Sequence, residues 1–116
     1  MIKSTILFEM KFLDLIQKNR SHRRFKQDFK LDVDTLKELV NLARLSASSK
    51  NIQGLKFLLS VDKDMNAGIF KHLIWAAYLK DWDGPAEGEK PGGYIIILGD
   101  TGIHPTIDMD VGIAAQ

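Results

Sequence analysis

The sequence of 116 residues contains no cysteine. That absence excludes a disulfide scaffold, thiol catalysis and any cysteine-ligated zinc or iron–sulfur centre. No apolar run approaches the roughly 18 residues a membrane-spanning helix requires. The opening stretch, MIKSTILFEMKFLDLI, lacks a continuous apolar core and a small-residue cleavage site. No signal peptide is therefore expected, and a reducing, cytoplasmic setting is the default. The three histidines, His22, His72 and His104, include no pair at the i, i+4 spacing of a helical metal site, and HExxH is missing. Paired-carboxylate motifs, GxGxxG and P-loop signatures are missing as well, so neither a metal site nor a protein nucleophile is expected.

Hydrophobic residues make up 45% and charged residues 27%, values that place the chain among globular proteins rather than disordered ones. The length suits one domain with a core of its own. The net charge of +1 hides an asymmetry: residues 1–60 carry 12 Lys/Arg against 6 Asp/Glu, and residues 61–116 carry 4 against 9. Such halves imply an anion site in the first or two surfaces that attract each other. They argue against a freely basic nucleic-acid binder.

Phe12, Leu13, Leu15 and Ile16 have helix-compatible spacing, which predicts a short helix over Met10–Lys18, with residues 1–9 as an extension before it. Asn19–Lys30 is polar and basic and reads as a loop. Thr35 and Glu38 fit a capping box ahead of the apolar stripe Leu36, Leu39, Val40 and Ala43. That stripe dissolves in Ser46-Ala47-Ser48-Ser49-Lys50-Asn51. Leu55–Val61 is strand-like, and Ile69, Phe70, Leu73, Ile74 and Ala77 predict a helix over Ala67–Leu79. Trp75, Tyr78 and Trp82 cluster near its end. Asp83–Gly93 is a loop. Tyr94–Leu98 is unbroken and β-branched, as a strand covered on both faces would be. After a turn over Gly99–Pro105, Asp108 reads as the N-cap of a helix that runs into Gln116. Two strands alone make a poor sheet, so an α+β architecture larger than this segment is expected.

Two loops carry candidate chemistry. Arg20, Ser21 and Arg23 offer guanidinium forks and a hydroxyl that match phosphate oxygens, although a solvated basic loop has the same composition. Ser48, Asn51 and Gln53 offer a hydroxyl and two amides that could read the edge of a heterocycle, although a helix-ending turn uses the same residues.

The order and spacing of these segments resemble the FMN-dependent nitroreductase family. Asn19-Arg20-Ser21-His22-Arg23-Arg24-Phe25 is similar to its opening R-R-S-x-R-x-F motif. The run from Ala43 to Phe57, through Ser48-Ser49-Lys50-Asn51-Ile52-Gln53, is similar to A-x-x-A-P-S-x-x-N-x-Q-P-W-x-F. Asp110-Val111-Gly112-Ile113-Ala114-Ala115-Gln116 is similar to D-x-G-x-A-x-Q. Trp75 to Pro85 resembles one branch of the family. Asn19, Ala47 and Gly54-Leu55 depart from the usual Arg, Pro and Pro-Trp or Pro-Leu, and the lost prolines imply a less rigid second loop.

The resemblance implies a nitroreductase-like α+β, three-layer fold, a central sheet flanked by helices. Residues 10–116 would form its N-terminal portion, incomplete at the C-terminus. It implies FMN, held by Arg20, Ser21 and Arg23 at the phosphate and ribityl chain and by Ser48, Asn51 and Gln53 near the ring. It also implies NAD(P)H as donor, ping-pong reduction of nitroaromatics, quinones or similar acceptors, and a homodimer with FMN at its interface. No nucleic acid or membrane is expected as a partner. The alternative is a truncated, non-catalytic remnant that self-associates through its apolar faces.

Overall fold

The computed structural model describes residues 11–104 and 107–116. The extension expected over residues 1–9, the expected helix start at Met10, and Pro105 at the end of a turn region lie outside the described residues. The chain folds as a mixed α/β structure built around a small antiparallel sheet. Helix α1 covers residues 11–18 and α2 covers Val33–Arg44; a single tight turn, Ser49–Asn51, leads into β1, Leu55–Ser60. Helix α3 follows at Lys63–Phe70, then β2 at Tyr94–Gly99 and α4 at Asp108–Ala115. No helix among the described residues is long and apolar enough to cross a membrane.

The start of α2 differs from the expected capping box. Asp32 is the N-cap, and its carboxylate accepts from the Thr35 backbone N–H at 2.7 Å. A carboxylate there satisfies an orphan amide and meets the positive end of the helix dipole, so it outcompetes the hydroxyl three residues on. Thr35 thus donates to the cap instead of serving as it. Helix α3 is capped the same way, Asp62 accepting from the Met65 N–H at 2.8 Å.

That cap starts α3 at Lys63, four residues before the expected helix, and the helix stops at Phe70 rather than Leu79. Tertiary packing overrides the apolar spacing. Trp75 lies edge-on to Phe25, with ring centroids 6.2 Å apart, and 5.8 Å from the Phe70 ring. Ala76 then takes a left-handed backbone, φ 38°, which a helix cannot continue through. Gly84 closes on the same indole: a Cβ there would lie 2.6 Å from Trp75 Cδ1. The expected aromatic cluster at a helix end is instead a turn folded around Trp75.

Strands β1 and β2 pair in register from Leu55 opposite Gly99 to Ser60 opposite Tyr94. In β1, Leu55, Phe57 and Leu59 are half-buried and alternate with exposed Lys56 and Leu58, as a one-sided strand requires. Strand β2 is half-buried over Tyr94–Ile97 and open at Leu98 and Gly99, so it is not covered on both faces as its composition predicted. The reason is the layer around it: α2 packs on β1 and α4 on β2, and α2 also touches α4. Helix α4 begins at Asp108 with Ile107 before it and no side-chain cap, so Asp108 is a first-turn residue rather than the N-cap.

This layer is thin. Among the described large apolar side chains, only Leu36 is buried. The radius of gyration is 17.1 Å, against about 13 Å for a close-packed chain of this length. The accessible surface is 9690 Å², against about 6400 Å² expected for a monomer of this mass. Phe12, Leu13, Leu15 and Ile16 on α1, and Leu39, Leu42 and Leu45 on and after α2, are all exposed.

Two glycines predict opposite responses. A Cβ at Gly93 would meet Leu31 Cδ2 at 2.8 Å and the Ser60 carbonyl oxygen at 2.9 Å, and that backbone atom cannot move aside. Gly93→Ala is expected to lower stability by about 1–3 kcal/mol. Gly68 in α3 has nothing within 4 Å of such a Cβ. Gly68→Ala is expected to raise stability by about 0.5–1 kcal/mol, through helix propensity alone. Urea-unfolding midpoints measure both.

Candidate functional site

The basic loop follows α1 and runs alongside residues 87–90. The Phe25 backbone N–H donates to the Glu89 carbonyl at 2.9 Å. Gln27 fastens the contact: its Oε1 accepts from the Gly88 and Lys90 amides at 2.7 and 3.1 Å, and its Nε2 donates to Glu87 at 2.7 Å. Arg24 pairs with Glu89 at 3.6 Å on the surface. The candidate anion ligands behave differently. Arg20 donates to the carbonyls of Asn19 and Ile16 at 3.0 and 3.4 Å, and Arg23 to that of Ser21 at 3.4 Å. The Arg23 guanidinium also stands 5.5 Å from the centre of the Tyr78 ring, a cation–π distance. Among the described residues, neither Arg20 nor Arg23 has a carboxylate partner, and Ser21 beside them is exposed.

The second loop is held more tightly. Asp110, 6% exposed at the start of α4, accepts from the Ser48 hydroxyl at 2.6 Å and from the Ser49 backbone N–H at 2.9 Å. The same Ser48 oxygen accepts from the Gln53 backbone N–H at 3.0 Å. Gln53 Nε2 in turn donates to Asn51 Oδ1 at 3.0 Å. Lys50, Asn51 and Gln53 all have positive φ, 52°, 56° and 56°. Each costs an L-residue roughly 1–2 kcal/mol, least for Asn. The Gln53–Asn51 bond leaves the Asn51 amide nitrogen as a donor and the Gln53 carbonyl oxygen as an acceptor, side by side on an exposed turn.

The structure thus brings Ser48, Asn51 and Gln53 together as one unit, and keeps Arg20, Ser21 and Arg23 together as another. Among the described residues, no hydrogen bond or ion pair joins the two. Three contributors carried no assigned role in the sequence reading. Asp110 lies in the D-x-G-x-A-x-Q run, and its motif position was the signal. Gln27 and Tyr78 reach these loops only through the fold, and no local pattern marks them.

The sequence profile of the nitroreductase family matches residues 16–87. The chain belongs to the nitroreductase family. A search of curated proteins finds no match. Nitroreductase-family proteins are oxidoreductases that generally use flavin cofactors. The matched span contains the basic loop and the 48–53 loop, the two places where this nitroreductase-family chain offers cations and paired amides.

The donor chemistry fits a flavin mononucleotide. Two arginines without carboxylate partners and a serine hydroxyl suit a phosphate. An adjacent amide donor and carbonyl acceptor suit the polar edge of the ring.

Acid should loosen the second loop. The Ser48 hydroxyl and the Ser49 amide hold the Asp110 carboxyl below the usual carboxylate range; burial opposes them, and the charge of His104 adds to them. A carboxyl lowered in the folded state contributes stability above its unfolded value near pH 4, and loses it as pH falls through the folded value. The unfolding midpoint is therefore expected to fall below pH 4, and to fall less steeply in Asp110→Asn. A residual slope should remain, because Asp32, Glu87 and Asp100 are lowered too, chiefly by the Thr35 amide, Lys90 and the Gly102 amide. Urea titrations from pH 6 to pH 2 provide the comparison.

Proposed function

We infer that this chain is an FMN-dependent NAD(P)H oxidoreductase of the nitroreductase type, acting on nitroaromatics, quinones or similar acceptors. The observation that carries the reading is the family match over residues 16–87, which takes in both candidate loops. When bound, FMN would supply the hydride chemistry that connects NAD(P)H to the acceptor. The protein supplies binding and orientation. Arg20 and Arg23 neutralise the phosphate, and Ser21 adds a hydroxyl donor. Asn51 and Gln53 would hold the ring's polar edge with an amide donor and a carbonyl acceptor, and Ser48 would support Gln53 behind them. Redox chemistry of this kind needs no protein nucleophile.

The reading includes a cytoplasmic homodimer with the family's three-layer fold and FMN at the interface. Its support lies in the open apolar faces. Exposed leucines on and after α2, the exposed face of α1 and an accessible surface well above a monomer's expectation all favour a partner.

Titration with FMN, followed by flavin fluorescence, tests the reading. Wild-type protein is expected to quench the flavin and to sediment at twice the 13.1 kDa chain mass. Arg20→Ala and Arg23→Ala are each expected to weaken FMN binding by about tenfold, the low end for a charge-assisted hydrogen bond at an exposed site. Arg→Lys at either position should recover part of the loss by keeping the charge without the fork. A wild-type chain that is colourless once unbound FMN has been removed by desalting overturns the reading.

A further inference from the structure

The 48–53 loop carries more left-handed backbone than its sequence favours. Of Lys50, Asn51 and Gln53, only asparagine tolerates positive φ well, and no glycine occupies any of these positions. Something outside the loop must hold it. The bonds converge on one carboxylate: Asp110 accepts a hydrogen bond from the Ser48 hydroxyl at 2.6 Å and from the Ser49 amide at 2.9 Å. With its proton committed to Asp110, the Ser48 oxygen is turned to accept from the Gln53 amide at 3.0 Å. The Gln53 side chain then reaches Asn51. The chain of bonds runs in one direction, from a nearly buried anion on α4 to the two exposed amides.

We propose that Asp110 is a positioning residue, which fixes the left-handed turn of residues 48–53 and so aims Asn51 and Gln53 at the ring edge of the bound flavin. The inference rests on the flavin reading above. Asp110 itself touches no ring atom; it acts through Ser48. An asparagine at 110 keeps an acceptor for the Ser49 amide but offers an N–H where Ser48 needs an acceptor. The hydroxyl proton is then unplaced, and the Gln53 bond loses its fixed partner. An alanine removes both acceptors. Neither change alters the basic loop, with which Asp110 shares no hydrogen bond or ion pair among the described residues.

The experiment compares wild type, Asp110→Asn and Asp110→Ala by FMN titration, the visible spectrum of the bound flavin and amide hydrogen exchange. Asp110→Asn is expected to weaken FMN binding by about tenfold and Asp110→Ala by more, with the flavin absorption bands shifted in both. Exchange at residues 49–53 should accelerate in both variants by more than exchange in β1 and β2. Wild-type affinity and spectrum in both variants overturn the inference and leave the flavin reading standing. Acceleration equal at residues 49–53 and in β1 and β2 overturns it too, because Asp110 would then act through stability alone. A wild-type protein that binds no FMN overturns both.

Discussion

The antiparallel ladder between β1 and β2 is the constraint on which the rest depends. It pairs residues 55–60 with residues 94–99, so the ends of a long excursion must meet. The ladder extends past β1 through the Asp100 N–H, which donates to the Gly54 carbonyl at 2.9 Å. Asp100 then winds the chain back on itself. Its side chain accepts from the Gly102 amide, and its carbonyl from the amides of Ile103 and His104. That turn delivers α4 beside the residues just before β1. Asp110 can reach Ser48 only because the register is set more than forty residues away in sequence from one of its strands. A slip of one residue would move every β1 side chain to the other face and carry α4 off the loop.

The same geometry explains how the second loop manages without proline. The family pattern places prolines at the positions of Ala47 and Gly54, which stiffens the loop covalently. The sequence therefore implied a looser loop here. The structure instead closes it with hydrogen bonds, two onto Asp110 and one back to Ser48. Charge-assisted bonds to a nearly buried carboxylate are strong enough to offset the left-handed residues they enforce. Stiffness set by proline is local and independent of pH. Stiffness set by Asp110 depends on α4 being docked and on the carboxylate being ionised, so loop order is tied to the tertiary fold.

What could be read from the sequence follows the range of the interactions. The strands were legible because a short apolar run at 55–60 and a β-branched one at 94–99 are each bounded by turn residues. Helix α2 was legible from its stripe, while its cap was misplaced because Asp32, Asp34 and Thr35 compete within one turn and only the fold decides. The end of α3 was not legible. Leu73 and Ile74 continue a helical pattern, yet Trp75 gains more by packing between Phe25 and Phe70 than by extending the helix. Phe25 lies fifty residues earlier, so no window along the chain contains both partners. The site residues divide the same way. Ser48, Asn51 and Gln53 lie close together in sequence, and hydrogen bonds join them in the fold. The role of Asp110 depends on a contact across 62 positions. Trp75 also keeps a buried indole N–H without an acceptor, a cost accepted for its ring contacts.

The charge asymmetry can now be divided between its two explanations. Attraction between the halves is real but small: Arg24–Glu89 and Lys56–Asp100 are the ion pairs among the described residues that span them, and both are largely exposed. Surface pairs of that kind contribute about 0–1 kcal/mol each, too little to account for a separation of this size. The acidic half spends its carboxylates elsewhere. Asp62 caps α3, Asp100 shapes a turn and Asp110 holds the second loop, each bonding neutral amides or hydroxyls. Arg20 and Arg23 have no carboxylate partner among the described residues. Their guanidiniums rest on neutral backbone carbonyls nearby, and Arg23 also on the Tyr78 ring. Cations that a fold leaves without counter-charge beside an exposed serine attract a polyvalent anion from solution more readily than cations already paired. Cross-half attraction is therefore the minor share of the asymmetry, and Arg20 and Arg23 are the cations that the proposed flavin phosphate would draw on.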